Sequence, residues 1–470
     1  MFHLTKIDIE TALAYNVIEV KNGIKRVFKN IQIDSRLIKK NSIFVAIKGD
    51  NLDGHSFIKN SVKNGVSAVI SEKTLSSSDE KFLVQNKIYH ITVKDSLKAL
   101  WQLAFYNRNK SKTRIIGITG SNGKTTTKDF LTAILTRNFK TISSSGSFNN
   151  HIGVPLTLMK ISHDTEYAVI EMGMNHSGEI KKLGGIVRPD IALVTNVAGS
   201  HIEFFNSMKG IASAKAEIFY ELKKNGYGVV NRDSSYFSYL KKRCRRRMVS
   251  FGVHGNSTYQ LKNLTDKKTG YSFSIRNKGK NLGFNIDLPG KHNTYNVLAA
   301  IAVCMEEGMS YRKIKQGLKI IKLPKMRMNI TKTKKGIVIV NDAYNANPFS
   351  TEKAIETLTE IKCSGKRIMV FADMLELGDK SEFYHKKAGI QAAKKGIDLF
   401  LCTGNHTKKS AYSFNRYATN GNKAFFFTKK NSLVKKINGV LSKGDMILLK
   451  GSRGMKLEEI LNDIRTIGRK

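Results

Sequence analysis

Gly117-Ile118-Thr119-Gly120-Ser121-Asn122-Gly123-Lys124-Thr125-Thr126 is the stretch on which the fold turns. The residues before it, 114–119, form an apolar run that reads as a buried strand. Those after it, 124–136, have the spacing of a helix. Strand, glycine-rich turn and helix open an α/β unit. In such a turn, glycines let successive N–H groups curl toward a phosphate, and the helix directs its positive end to the same point. Gly120, Ser121, Asn122, Gly123, Lys124, Thr125 and Thr126 are therefore the expected phosphate cradle. Lys124 would reach the β- and γ-phosphates, and the Thr125 hydroxyl would meet Mg²⁺. Gly117 and Gly123 stand six positions apart, where the strict P-loop pattern has five.

Working outward, 168–171 and 191–195 read as further buried strands. The first ends in Glu171, and a carboxylate there lies at the ligand edge of an open α/β sheet, in reach of a metal on the nucleotide. Between 258 and 288 the pattern alternates around turns, which predicts an antiparallel excursion, and a helix over 293–306 follows. After Pro324 the βα alternation restarts, with strands at 337–340, 368–371, 399–401 and 446–449. Ahead of the P-loop, short β-like runs at 42–47 and 68–70 mix with helices. The reading is three α/β units: a small one over 1–93, a P-loop unit with a mostly parallel sheet over 94–323, and a Rossmann-like unit over 324–470.

The length of 470 residues fits about three domains. No apolar run approaches the roughly 20 residues of a membrane span, and residues 1–8 lack the features of a signal peptide. Cys244, Cys304, Cys363 and Cys402 are scattered, with no CxxC pair, which argues against a disulfide framework or cysteine zinc site. A cytoplasmic setting is expected. Lys and Arg total 80 against 37 Asp and Glu, a formal net charge of +43. That balance suits nucleic acid or an anionic surface as partner. The basic residues are mostly dispersed, however, and the one dense cluster, 241–247, has no interleaved aromatics for base stacking. A lysine-rich solvated surface is the preferred reading.

Two residues are anonymous to pattern alone. His201 follows a strand, and a lone histidine is more often structural. Lys215 is one lysine among many, and its ammonium would repel a metal unless modified to an anion. Asn293 and Asn296 sit three apart on one helical face. Their amides suit an adenine edge, while capping by Asn293 is an equally open reading.

Together these pieces resemble the Mur ligase family over nearly the whole chain. Asp34-Ser35-Arg36 and the segment 49–57 are similar to its uridine-nucleotide-binding segments. The segment 147–157 is similar to its substrate loop, and 171–180, 341–348, 372–378 and 450–453 match its D-alanyl-D-alanine-adding branch. The resemblance implies an ATP-dependent peptide ligase of cell-wall synthesis. It would join D-alanyl-D-alanine to UDP-N-acetylmuramoyl-tripeptide through an acyl phosphate, as a monomer.

The resemblance also implies roles. Thr125 and Glu171 would hold one Mg²⁺, and His201 with a carbamylated Lys215 a second. Lys124, His201 and Lys215 would be the catalytic set. Asn293, Asn296, Arg327 and Asp342 would complete the ATP site, and Ser35, Arg36, Asp53, Asn149 and Asn150 would bind the UDP-linked substrate. Two positions depart from the family: Met326 and Asn206 stand where glycine is expected. A sister ligase adding the third amino acid usually carries an Asp-Asn-Pro-Arg motif, which the chain lacks. The rival from another class, a nucleic-acid-dependent P-loop ATPase, draws on the charge and on a Walker B reading of the Glu171 strand, but no nucleic-acid module is recognisable and the ligase motifs downstream speak against it.

Overall fold

The computed structural model describes residues 3–466, apart from 22–24, 26, 73, 74 and 268. Three larger sheets organise them, beside a two-stranded pair of Leu4–Thr5 with Val27–Phe28. The first has five strands, in the order Val17–Lys21, Tyr89–Val93, Ala68–Ser71, Ser42–Val45 and Asn30–Gln32. All neighbours are parallel except the first pair. Helix Ser96–Lys110 leads from it into the next sheet, with Asp95 accepting from Lys98 N as its cap.

The second sheet has nine strands. Arg114–Thr119 is third from one edge, flanked in parallel by Tyr167–Glu171 and Ile191–Val194. Ile116, Ile118, Val169 and Leu193 are fully buried, which explains their uninterrupted apolar pattern; each contributes about 1.5–3 kcal/mol of burial. The registers pair Ile118 with Glu171 and Thr119 with Val194. The P-loop, Glu171 and the loop after Val194 therefore leave the sheet at one edge. The alternating segment is the antiparallel ribbon Tyr259–Lys267, Gly270–Asn277 and Lys280–Ile286. Strands Thr141–Ser143, Tyr227–Asn231 and Arg247–Gly252 were not expected from the sequence.

The third sheet has six strands, with Asn329–Lys332 antiparallel at one edge. One of its two middle strands, Met446–Lys450, lies between Val338–Asp342 and Arg367–Ala372. The register pairs Asp342 with Lys450. The basic cluster ends helix Phe237–Arg243 and starts the next strand. Arg243 stacks on Tyr239 and Arg247 on Tyr227, so two of its guanidinium planes are already covered. Among the described residues no helix is long and apolar enough to cross a membrane.

Candidate active site

The P-loop curls because two glycines make it possible. Gly120 has φ +146° and Gly123 φ +81°. A Cβ at Gly120 would lie 1.9 Å from Thr195 Oγ1, and one at Gly123 would lie 2.3 Å from Asn296 Oδ1. Helix Lys124–Leu135 starts at Gly123 with no side-chain cap, so its first N–H groups face the cleft. The loop is held from behind by Asn122 N donating to Asn196 Oδ1 (3.0 Å) and Thr195 Oγ1 donating to Asn122 O (2.6 Å). Lys124 Nζ donates to Gly120 O at 2.8 Å. Burial lowers the Lys124 ammonium below its ordinary value, with Arg327 adding to the effect and Glu171 and Glu376 opposing it.

In front of this loop lies a cavity of about 850 Å³ between the second and third sheets. Ser121, Asn122, Gly123, Lys124, Thr126, Asn149, Glu171, His201, Asn293, Asn296, Arg327 and Asp342 all line it. Thr125 lies beside it, accepting from Arg327 Nη2 at 3.3 Å. The Arg327 guanidinium also stacks on Tyr344, 4.3 Å from the ring centre. Asn149 Nδ2 donates to Glu171 Oε1 at 2.8 Å, while Glu171 Oε2 is buried with no partner among the described residues. An orphaned carboxylate oxygen beside a phosphate cradle fits a cation ligand. No group of three or more His, Cys, Asp or Glu side chains is gathered for a metal among the described residues. Mg²⁺ characteristically takes one or two carboxylates and its remaining ligands from phosphate and water, which suits Thr125 and Glu171.

His201 has left-handed backbone (φ +56°), and its Nδ1 lies 2.6 Å from Glu376 Oε2, at an angle that forms no hydrogen bond. Lys215 is buried on helix Met208–Ala216, with no hydrogen-bond or ion-pair partner found among the described residues. Burial, then Lys124, pushes its ammonium well below the ordinary value. A neutral, desolvated amine is the form that takes up CO₂, so Lys215 fits the carbamate expected of it.

Asn293 is not the helix cap. Helix His292–Glu306 has Lys291 at that position with no side-chain cap. The Asn293 amide instead donates to Pro289 O (2.7 Å) and its oxygen accepts from Asn296 Nδ2 (3.0 Å). The capping alternative fails because the helix begins before Asn293. Asp342 accepts from Met328 N at 3.1 Å and pairs with Lys450 at 2.7 Å. Lys450 is 2 % exposed, and its Nζ also donates to Asn345 O. Met326 has φ +60°, which explains a family preference for glycine there. Asn206 has no such backbone, and its departure carries no strain.

The five candidate substrate residues are not brought together. Asn149 lines the cavity. Asn150 is exposed and caps the turn before helix Gly153–Leu158 by accepting from Ile152 N and Gly153 N. Ser35, Arg36 and Asp53 lie on the first sheet's unit, away from the cavity lining. Ser35 Oγ accepts from Asn60, Arg36 is paired with Asp34, and Asp53 caps a turn and contacts His55. Sequence reasoning named no role for Asn347, Tyr344, Lys450 or Glu376. Asn347 Nδ2 donates to Asn122 Oδ1 at 2.8 Å, and the Tyr344 hydroxyl meets Ser147, so both tie the third unit to the second. Their signal was present only as whole motifs.

Known proteins match in the same three pieces. Residues 27–107 match the Mur ligase family catalytic domain, 118–304 the Mur ligase middle domain, and 326–453 the Mur ligase glutamate ligase domain. UDP-N-acetylmuramoyl-tripeptide–D-alanyl-D-alanine ligase of Bacillus subtilis is 37% identical over 438 residues, 93% of each chain. The Escherichia coli enzyme of that name is 32% identical over 444 residues, 93% of this chain and 94% of its own. A crystal structure of MurF from Acinetobacter baumannii superposes with a TM-score of 0.87 at 28% identity, covering 98% of this chain and 99% of that one. MurF from Thermotoga maritima, solved with ADP, gives 0.78 at 26% identity, covering 94% and 98%. With three consecutive domain matches and relatives of this identity along almost its whole length, the chain belongs to the Mur ligase family.

Proposed function

We propose that the protein is an ATP-dependent ligase that joins D-alanyl-D-alanine to UDP-N-acetylmuramoyl-tripeptide in peptidoglycan precursor synthesis. The observation that carries this reading is the cavity where Lys124, Glu171, His201, Asn296, Arg327 and Asp342 converge, in a chain 37% identical to a ligase of that name. The division of labour follows the boundaries read from the sequence. Residues 1–93 would take the UDP end through Ser35, Arg36 and Asp53, 94–323 would hold ATP, and 324–470 would close over it and receive the dipeptide. The enzyme would act as a cytoplasmic monomer.

A carboxylate is a poor electrophile, so the tripeptide's terminal carboxylate first attacks the γ-phosphorus of ATP. The bond to the β-γ bridging oxygen breaks, ADP leaves, and an acyl phosphate forms. Lys124 and the helix N-terminus stabilise the charge that builds on the transferred group. Thr125 and Glu171 would hold one Mg²⁺, and His201 with carbamylated Lys215 a second. Bound Mg²⁺ neutralises charge on the phosphate oxygens. Asn293 and Asn296 would contact the nucleotide, with Asp342 and Arg327 closing its far side. The dipeptide amine then attacks the acyl carbon and phosphate leaves. Asn347 on Asn122 and Tyr344 on Ser147 hold the two units together, which keeps water from the acyl phosphate.

Phosphate release from ATP and Mg²⁺, measured with UDP-muramyl-tripeptide and with or without D-alanyl-D-alanine, tests the reading. Release that needs both substrates and disappears in Lys124→Ala supports it. Indifference to both, with stimulation by DNA or RNA, would overturn it.

A further inference from the structure

The dipeptide arrives with a positive amino group, and several carboxylates lining the cavity have no part in the scheme above, Glu376 among them. Glu376 follows strand Arg367–Ala372 in the loop that leads to the turn Gly378–Lys380. Its backbone is left-handed (φ +65°), a conformation unfavourable for a residue with a side chain and retained where surroundings over-determine it. Two contacts fix it on the second unit. Its carbonyl accepts from Glu203 N at 3.2 Å, and its carboxylate lies 2.6 Å from His201 Nδ1.

The Glu376 carboxylate therefore lines the cavity beside His201. The other carboxylates of the third unit that line the cavity are engaged: Asp342 with Lys450, Glu356 with Lys353, Glu360 with Tyr271. Among the described residues Glu376 is found with no lysine or arginine ion pair, only its contact with His201. Leu375 and Leu377 line the cavity on either side, an apolar wall suited to short methyl side chains.

We propose that Glu376 binds the ammonium group of the incoming dipeptide and holds its nitrogen toward the acyl carbon, an inference that rests on the ligase reading above. The ammonium gives one proton to a phosphoryl oxygen of the acyl phosphate, the free amine attacks the acyl carbon as the bond to the phosphate oxygen breaks, and the second proton leaves with the phosphate as H₂PO₄⁻. Its contribution is Coulombic positioning of the nucleophile from the closing unit.

The test compares wild type with Glu376→Gln and Glu376→Asp in two measurements on the same preparations. One is the KM for D-alanyl-D-alanine. The other is tripeptide-dependent exchange of label between ADP and ATP with no dipeptide present, which reports acyl phosphate formation. The dipeptide KM should rise roughly tenfold or more in Glu376→Gln and less in Glu376→Asp, outrunning any fall in exchange. An unchanged dipeptide KM overturns the proposal. So does exchange that falls as far as the KM rises, since Glu376 would then serve phosphoryl transfer or the His201 contact. Absence of exchange in wild type would instead sink the ligase reading itself.

Discussion

Asn149 Nδ2 donates to Glu171 Oε1 at 2.8 Å and, among the described residues, leaves Oε2 of the same carboxylate buried and unpartnered. A buried acceptor without a partner costs about 1–3 kcal/mol, a cost that a cation bound at Oε2 would offset. Glu171→Gln is expected to lower substrate-dependent phosphate release by about 100-fold or more. Asn149→Ala should lower it by about tenfold and raise the Mg²⁺ concentration needed for half-maximal rate, because the carboxylate loses its orienting partner. A Mg²⁺ titration of phosphate release in both variants checks the order.

Lys215 should trade stability for activity. In the unmodified protein, burial lowers its ammonium well below the ordinary lysine value. The unfolded chain then binds a proton that the native state resists, so unmodified Lys215 weakens the fold at neutral pH and less so as pH rises. Lys215→Met is expected to abolish ligation while raising stability by about 1 kcal/mol in bicarbonate-free buffer. Denaturant unfolding and an activity assay with added bicarbonate decide it; an active, less stable variant contradicts it.

Met326 carries a left-handed backbone at φ +60°, which costs a side-chain-bearing residue about 1 kcal/mol. Met326→Gly should stabilise the third unit by no more than about 0.5 kcal/mol, the larger flexibility of the unfolded glycine offsetting most of the gain. Urea unfolding followed by tryptic susceptibility of the third unit measures it.

The first unit should weaken in acid through one ring. His90 is buried against Ser71 Oγ at 2.9 Å, and burial lowers its pKa from 6.5 to about 4. As pH falls from 6.5 toward 4, the unfolded chain protonates before the native one. Stability present at neutral pH is thus lost through that window, on the order of 2–3 kcal/mol. Replacing the ring by His90→Gln should flatten the dependence. Urea midpoints at pH 7 and pH 4.5 for both proteins provide the comparison.

What pattern could read was whatever a single segment determines. The strand before the P-loop, the Gly120 and Gly123 turn and the Glu171 strand end are local, and each stands where periodicity and glycine chemistry put it. Tyr227–Asn231 escaped because Tyr-Gly-Val-Val-Asn is too short an apolar run to stand out. Arg247–Gly252 escaped because it begins inside a run of arginines. His201 and Lys215 needed the family resemblance, since a single histidine or lysine has no periodic signature. The contact of Glu376 with His201 spans two units and depends on how they meet, which no local pattern encodes. Asn150 shows the converse: a residue in a substrate-like motif whose visible work is to start a helix.

The place of strand Met446–Lys450 bears on how the enzyme is made. It is one of the two innermost of the third sheet's strands yet the latest of all six in chain order. During synthesis the N-terminal units can fold as they emerge. The third sheet must wait with a gap at its centre until residue 450 clears the ribosome. Lys450, the partner of Asp342, arrives with that last strand, so a nascent chain carries an assembled P-loop well before its third sheet is complete.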